Sequence, residues 1–222
     1  MLQAARDVFV ERGFTESSVA EVVERAGSSV GSLYHHFGGK SELFLALWED
    51  HQAAHENSTA GAVAKARAEG ETDPLELFVQ GARAYLRDCW ERRQLVLLFM
   101  DGDAPPGFEL MRRTRNREWV RQNAVLLGAG TGPEDRVTVS ILTTVMGEAG
   151  REVAACETPE EAAAVVDTAI SLIRRLDPLT AFTTGGTEDS SSSSGGAGTT
   201  ASSRGSGNAE PSKPSKPSRS SG

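Results

Sequence analysis

The chain has 222 residues with 31 Asp+Glu against 23 Lys+Arg, a net charge of −8 and a pI near 5.1. That balance argues against a general polyanion binder. The lack of a long apolar run or a charged-then-apolar leader points to a cytoplasmic protein with no membrane partner. Two cysteines, Cys89 and Cys156, are too few and too far apart for a disulfide framework.

The first predicted helix runs from Leu2 to Gly13. From Thr15 to Trp48 the pattern is two short helices in a tight elbow, followed by a third, amphipathic helix. Ser18 and Glu21 have capping-box spacing. Val19, Val22, Val23 and Ala26 then fall on one apolar stripe. Gly27 can take the positive φ needed where one helix turns into the next, and Ser28 and Ser29 can cap that next helix. Its inward side is thin, with Val30, Leu33 and Phe37; Gly31, Ser32, Tyr34, His35 and His36 make a small, polar and aromatic outer side. Such a face suits a DNA major groove.

The run from Ala26 to Leu43, AGSSVGSLYHHFGGKSEL, resembles the DNA-binding head of TetR-family (TetR/AcrR-type) transcriptional regulators, as does AARDVFVERGF in the first helix. The resemblance covers residues 2–50 by specific motifs and the rest only in general layout. It implies that Ser29, Val30, Gly31, Ser32 and His35 lie against base edges, and that Tyr34 and His36 reach phosphates. It further implies that Lys40, with the N–H groups of its helix start, holds a phosphate, and that Ser18 adds another contact. Two departures bear on this. Met1 directly precedes the first helix, where the family carries a basic arm, so either the arm's contacts are missing or the true start lies upstream. Residues 1–50 also hold four Lys/Arg (Arg6, Arg12, Arg25, Lys40) against eight Asp/Glu, a balance of −4. Weak binding to random DNA with a shallow salt dependence is expected.

Beyond the head, His51 and His55 stand at helical i, i+4 spacing, but no third residue completes a metal site. Residues 53–71 are Ala-rich and charged, a helix fraying near Gly70. Asp73-Pro74-Leu75-Glu76 caps a helix carrying Leu77, Phe78, Ala82, Tyr85 and Leu86. Residues 103–107 form a loop and residues 108–127 a long, arginine-rich helix. Gly132-Pro133 and Thr158-Pro159 open two more. In the last helix Ala162, Val165, Ala169, Leu172, Leu176 and Leu179 form a coiled-coil-like seam, flanked by Val166, Ile170 and Ile173. Val165, Ala169, Leu172 and Leu176 are therefore expected at a homodimer interface, a pairing the family resemblance also implies. From residue 183 Ser, Gly, Thr and Pro dominate, and a disordered tail is expected.

The expected fold is all-α: a helix-turn-helix head (1–50), a helical ligand-binding and dimerisation body (51–182) and the tail (183–222). Phe78, Tyr85, Trp90, Phe99, Met100, Phe108 and Trp119 are the expected lining of a pocket for an unknown small-molecule effector. Asp101, Asp103, Arg112, Arg115 and Asn116 could orient that ligand. No phosphate loop and no CxxC pair occur, and the Gly-x-Ser-x-Gly run Gly27–Gly31 follows a helix and not a strand, so no enzyme, cofactor or metal is expected. The leading expectation is a homodimer on a palindromic double-stranded operator, a repressor released by ligand. The alternative is a small-molecule-binding helical protein whose head no longer works on DNA.

Overall fold

The computed structural model describes residues 1–176, and all regular structure among them is helical. The expectations for Leu179 and for the tail from residue 183 lie outside the described residues. The head comprises α1 (Leu2–Glu16), α2 (Val19–Arg25), α3 (Val30–Phe37) and the start of α4 (Lys40–Ala68). The body adds α5 (Pro74–Glu91), α6 (Arg93–Asp101), α7 (Phe108–Leu127), α8 (Pro133–Ala155) and α9 (Pro159–Leu176). No described helix is long and apolar enough to cross a membrane.

Local chemistry sets the head's corners. Ser18 caps α2 through a full capping box with Glu21, and Ser29 caps α3 by accepting from the Ser32 N–H at 3.2 Å. Val22, Val23 and Leu33 are buried, while Val19, Ala26 and Phe37 pack at the margin of the same core. Val30 departs from the inward placement read from the sequence, at 46% exposed. It follows the cap directly, before the helix has turned toward the core.

Residue 50 lies in mid-helix. The segments expected to be separate helices, ending near Trp48 and starting near Ala53, are one 29-residue helix, α4, because nothing between them breaks the backbone pattern. The chain instead breaks at Arg92 (φ −108°, ψ 21°), where α5 gives way to α6, a helix the periodicity did not disclose. Its six consecutive apolar residues, Leu95–Met100, serve two cores. Leu95, Leu98 and Phe99 pack with the head, and Val96 packs with the body. Phe44, fully buried, sits in an aromatic nest with edge-on neighbours Phe9, Phe14, Phe99 and Phe108 at 5.2–5.4 Å between ring centres. Head and body therefore share one packed junction.

A polar clasp reinforces it. The Asp103 carboxylate accepts from the Phe14 and Thr15 N–H groups at 2.8 and 2.5 Å, tying the α6–α7 loop to the end of α1. Those bonds, from Thr15 first, hold its pKa below the usual carboxylate range. Gly13 makes the clasp possible, since its φ is +75° and any Cβ there would lie 2.6 Å from Asp103 Oδ1.

Candidate DNA interface and effector cavity

The α3 helix turns one residue, Leu33, fully inward and leaves Gly31, Tyr34, His35 and His36 exposed, with Ser32 half-buried and Ser29 exposed at its start. Tyr34 is 54% exposed, and the His35 and His36 rings stand edge-on at 5.0 Å. The residues expected at base edges and phosphates thus share one outward surface. A hydroxyl, two imidazoles and a glycine allowing close approach give it hydrogen-bonding capacity.

Two members of the expected set are engaged elsewhere. Lys40 does not extend outward: its ammonium donates to the Phe14, Thr15 and Ser17 carbonyls at 2.7, 3.2 and 2.8 Å and lies 4.5 Å from the centre of the Phe14 ring. All three donors are spent on the end of α1, where the helix dipole favours a cation. What remains free at this helix start is the α4 backbone, which has no side-chain cap. The Ser18 hydroxyl likewise accepts from the Glu21 N–H at 3.2 Å and donates to its carboxylate at 2.9 Å. Arg12 and Arg25 pair with Glu21 and Glu11 at 2.9 and 2.7 Å. Three of the head's four basic side chains are therefore occupied within it.

In the body, α4–α8 frame two neighbouring spaces that share wall residues. The inner one, about 100 Å³, is lined by Thr59, Phe78, Tyr85, Trp119, Leu126 and Met146. The outer one, about 500 Å³, is bounded by His51, His55, Tyr85, Phe99, Met100 and Trp119, with Arg112, Arg115 and Asn116 on the α7 side. Tyr85 and Trp119 belong to both. Two expected lining residues lie elsewhere. Phe108 is buried in the junction nest, and Trp90 stacks under Arg93 at 4.6 Å beside a separate groove. Aromatic residue type alone does not distinguish cavity wall from core.

The sequence weighed His51 and His55 only as metal ligands and did not single out Asp88. His55 Nδ1 lies 2.6 Å from Asp88 Oδ2, His55 Nε2 lies 3.0 Å from His51 Nε2, and Arg92 Nε donates to Asp88 Oδ1 at 3.2 Å. Among the described residues no group of three or more His, Cys, Asp or Glu is arranged to hold a metal. Burial, and then the charges of His55 and Arg92 with a smaller share from Arg6, push the His51 pKa down to about 3; Asp88 works the other way. An unfolded histidine takes its proton near pH 6.5, so the native state loses stability as pH falls below that value toward about 3. Thermal melts should show a loss of about 2 kcal/mol by about pH 5 relative to neutrality. His51→Phe should remove most of that slope; an equally steep slope in the variant would refute this origin.

On the outer side, α9 is anchored to α5 by Arg83–Asp167 at 3.0 Å and Arg174–Glu76 at 2.6 Å. Ala162, Ala169, Ile170 and Ile173 are buried against the subunit's own body. Ala169 thus departs from its expected interface position: the seam is split between two faces of the helix. Val165 is half-buried, whereas Leu172 and Leu176 are exposed, as are Val137 and Ile141 on α8.

An outward α3 presented by a capped α2–α3 elbow, on a helical body, is a helix-turn-helix arrangement. Residues 1–47 match the family of bacterial regulatory proteins, tetR family. The activator FasR of Mycolicibacterium smegmatis is 45% identical over 51 residues, 23% of either chain. The repressor AcnR of Corynebacterium efficiens is 45% identical over 47 residues, 21% of this chain and 25% of that one. The chain therefore aligns with about a quarter of the length of these curated relatives. A TetR-like regulator from Rhodococcus sp. RHA1 superimposes with a TM-score of 0.63 at 23% identity, covering 78% of this chain and 91% of that structure, a likeness of fold. Residues 1–47 therefore carry the helix-turn-helix head of the TetR family, and the helical body shares the fold of solved TetR-like regulators.

Proposed function

We propose that the protein acts as a homodimer on a palindromic operator and is a repressor released when a small molecule occupies the α4–α8 cavity. The observation that carries this reading is the outward α3 surface, with Leu33 alone fully buried and Ser29, Gly31, Tyr34, His35 and His36 facing away from the subunit. Val30 joins that surface, consistent with an apolar contact to a thymine methyl. The route from effector to DNA runs through Phe99, which bounds the cavity and also packs on Phe44 in the junction. A ligand displacing Phe99 would bias how the head sits on the body, and hence the spacing of two α3 helices that must meet successive major grooves.

Gel shift against DNA flanking its own gene tests the reading. Specific retardation is expected, with shallow salt dependence because three of the head's four cationic side chains are engaged within it. Absence of any retarded species would favour the second reading, a helical small-molecule binder with an inactive head, which the head's acidic balance makes worth separating.

Leu172, Leu176, Val137 and Ile141 support dimerisation through α8 and α9 in an isologous contact. Leu172→Glu should turn a dimer into a monomer in sedimentation equilibrium while leaving helicity unchanged. Two copies of a charge would be buried at the symmetry axis, weakening association at least about a hundredfold. A variant that stays dimeric would move the interface elsewhere.

A further inference from the structure

The wall of the outer space runs against the charge of the whole chain. The protein carries a net charge of −8, yet Arg112, Arg113, Arg115 and Arg117 of α7 line this space against two carboxylates, Glu109 and Glu148. Those carboxylates do not balance them. Glu109 is shared, lying 3.1 Å from Arg112 and 3.3 Å from Arg113. Arg115 is met by Glu56 of α4 at 3.0 Å, and Glu148 lies 3.9 Å from Arg151 on its own helix. Arg117 has no ion pair among the described residues. Two guanidinium charges are therefore in excess along one stretch of helix. Guanidinium stays charged at any pH the fold survives, so the excess depends on no titration. Arg113 and Arg117 also stand one turn apart, a spacing at which like charges repel.

The charge falls away along α7. Asn116 and Trp119 border both spaces, while Asn123 and Leu126 border the inner one, which no ionised side chain lines among the described residues. Positions 112, 116, 119, 123 and 126 recur at alternating steps of four and three, so one side of α7 passes from a cationic rim to an uncharged interior. Phe78, Tyr85 and Met146 complete that interior wall. Arg112 is held in place within the rim, where its Nη1 donates to the Phe99 and Met100 carbonyls at 3.0 Å each. The free donors are those of Arg113, Asn116 and Arg117, at i, i+3 and i+4 on one face.

We propose that the effector is an amphiphile whose anionic head, a carboxylate or phosphate, is bound by Arg113, Asn116 and Arg117 while its apolar tail lies along Trp119 and Tyr85 toward the inner space. This rests on the reading of the α4–α8 space as the effector site. The head neutralises the excess charge, and the guanidinium fork matches either oxyanion in two parallel hydrogen bonds. The Asn116 amide adds a neutral donor beside them. The tail removes aromatic and aliphatic surface from water. An uncharged ligand of equal length has only the second contribution, and a cationic one is repelled at the rim.

Calorimetry on the full-length protein compares decanoate, decyl phosphate and 1-decanol, which share a tail and differ in the head. At low salt at least one of the anions should bind about tenfold more tightly than the alcohol, and added salt should narrow the margin. Tight binding of decanoate alone identifies a carboxylate head, and of decyl phosphate alone a phosphate head; either supports the inference. The double variant Arg113→Gln, Arg117→Gln, altered at two exposed positions that leave the core untouched, should lose the margin and bind 1-decanol as the wild type does. Anions and alcohol binding alike to the wild type overturn the anionic head and leave the effector site standing. A margin that persists in the double variant places the head elsewhere and likewise overturns the inference. Failure of all three to bind overturns the effector-site reading and this inference with it.

Discussion

Phe44→Ala is expected to lower unfolding free energy by about 3–5 kcal/mol, the range for emptying a fully buried aromatic site. The ring has no exposed surface and four edge-on aromatic neighbours, two in α1 of the head (Phe9, Phe14) and two in the body (Phe99, Phe108). Removing it leaves a void bordered by both parts, which neither can close alone without giving up its own packing. With native domains stable by roughly 5–15 kcal/mol, this is a large share of the total. Denaturant melts followed by circular dichroism should show the midpoint shift. Phe44→Leu is the milder companion, expected to stay folded and bind operator while responding less to effector, because the edge contact to Phe99 is lost. If effector still releases Phe44→Leu from DNA as it does the wild type, the junction is not the route of communication.

Tyr34→Ala is expected to weaken operator binding about 30- to 100-fold with a thermal midpoint within error of the wild type. The side chain is 54% exposed and makes no hydrogen bond among the described residues, so its removal costs the fold little. A dimer on a palindrome loses the phenolic hydroxyl twice, and two lost phosphate bonds of ordinary strength multiply to that range. Lys40→Ala should behave differently. Its ammonium satisfies three carbonyls at the end of α1, so the variant should unfold more easily by about 1–3 kcal/mol and lose DNA affinity only as the head loosens. Competition gel shifts paired with melts distinguish the two. Wild-type operator affinity in Tyr34→Ala would remove α3's outer face from the interface, and an unchanged melting temperature in Lys40→Ala would show that its contacts to α1 contribute nothing.

The family's helix-turn-helix was legible in the residues because its determinants are local. Ser18 and Glu21 are three apart, Ser29 caps the helix it begins, and Gly27 sits between them at φ +58°. Caps and one-turn spacings act through the backbone of the same few residues, and no partner from elsewhere is needed to read them. The same is true of α5, whose Asp73 cap accepts from the Leu75 and Glu76 N–H groups.

Tertiary packing decided the rest, because it joins residues that local spacing cannot relate. Lys40 is a phosphate ligand by motif and a clamp on α1 by geometry, since three carbonyls reach it before any phosphate does. Ala169 and Leu172 share one heptad seam on paper, yet α5 and α8 already cover the first and leave the second bare. The consecutive apolar residues of α6, Leu95–Met100, divide between two cores, which no local spacing foretells. His55 on α4 meets the carboxylate of Asp88 on α5 at 2.6 Å, a relation no period of 3.6 residues encodes. Sequence wrote the outward reading surface into its own neighbours; the hydrogen-bonding character of the cavity came only from helices brought side by side.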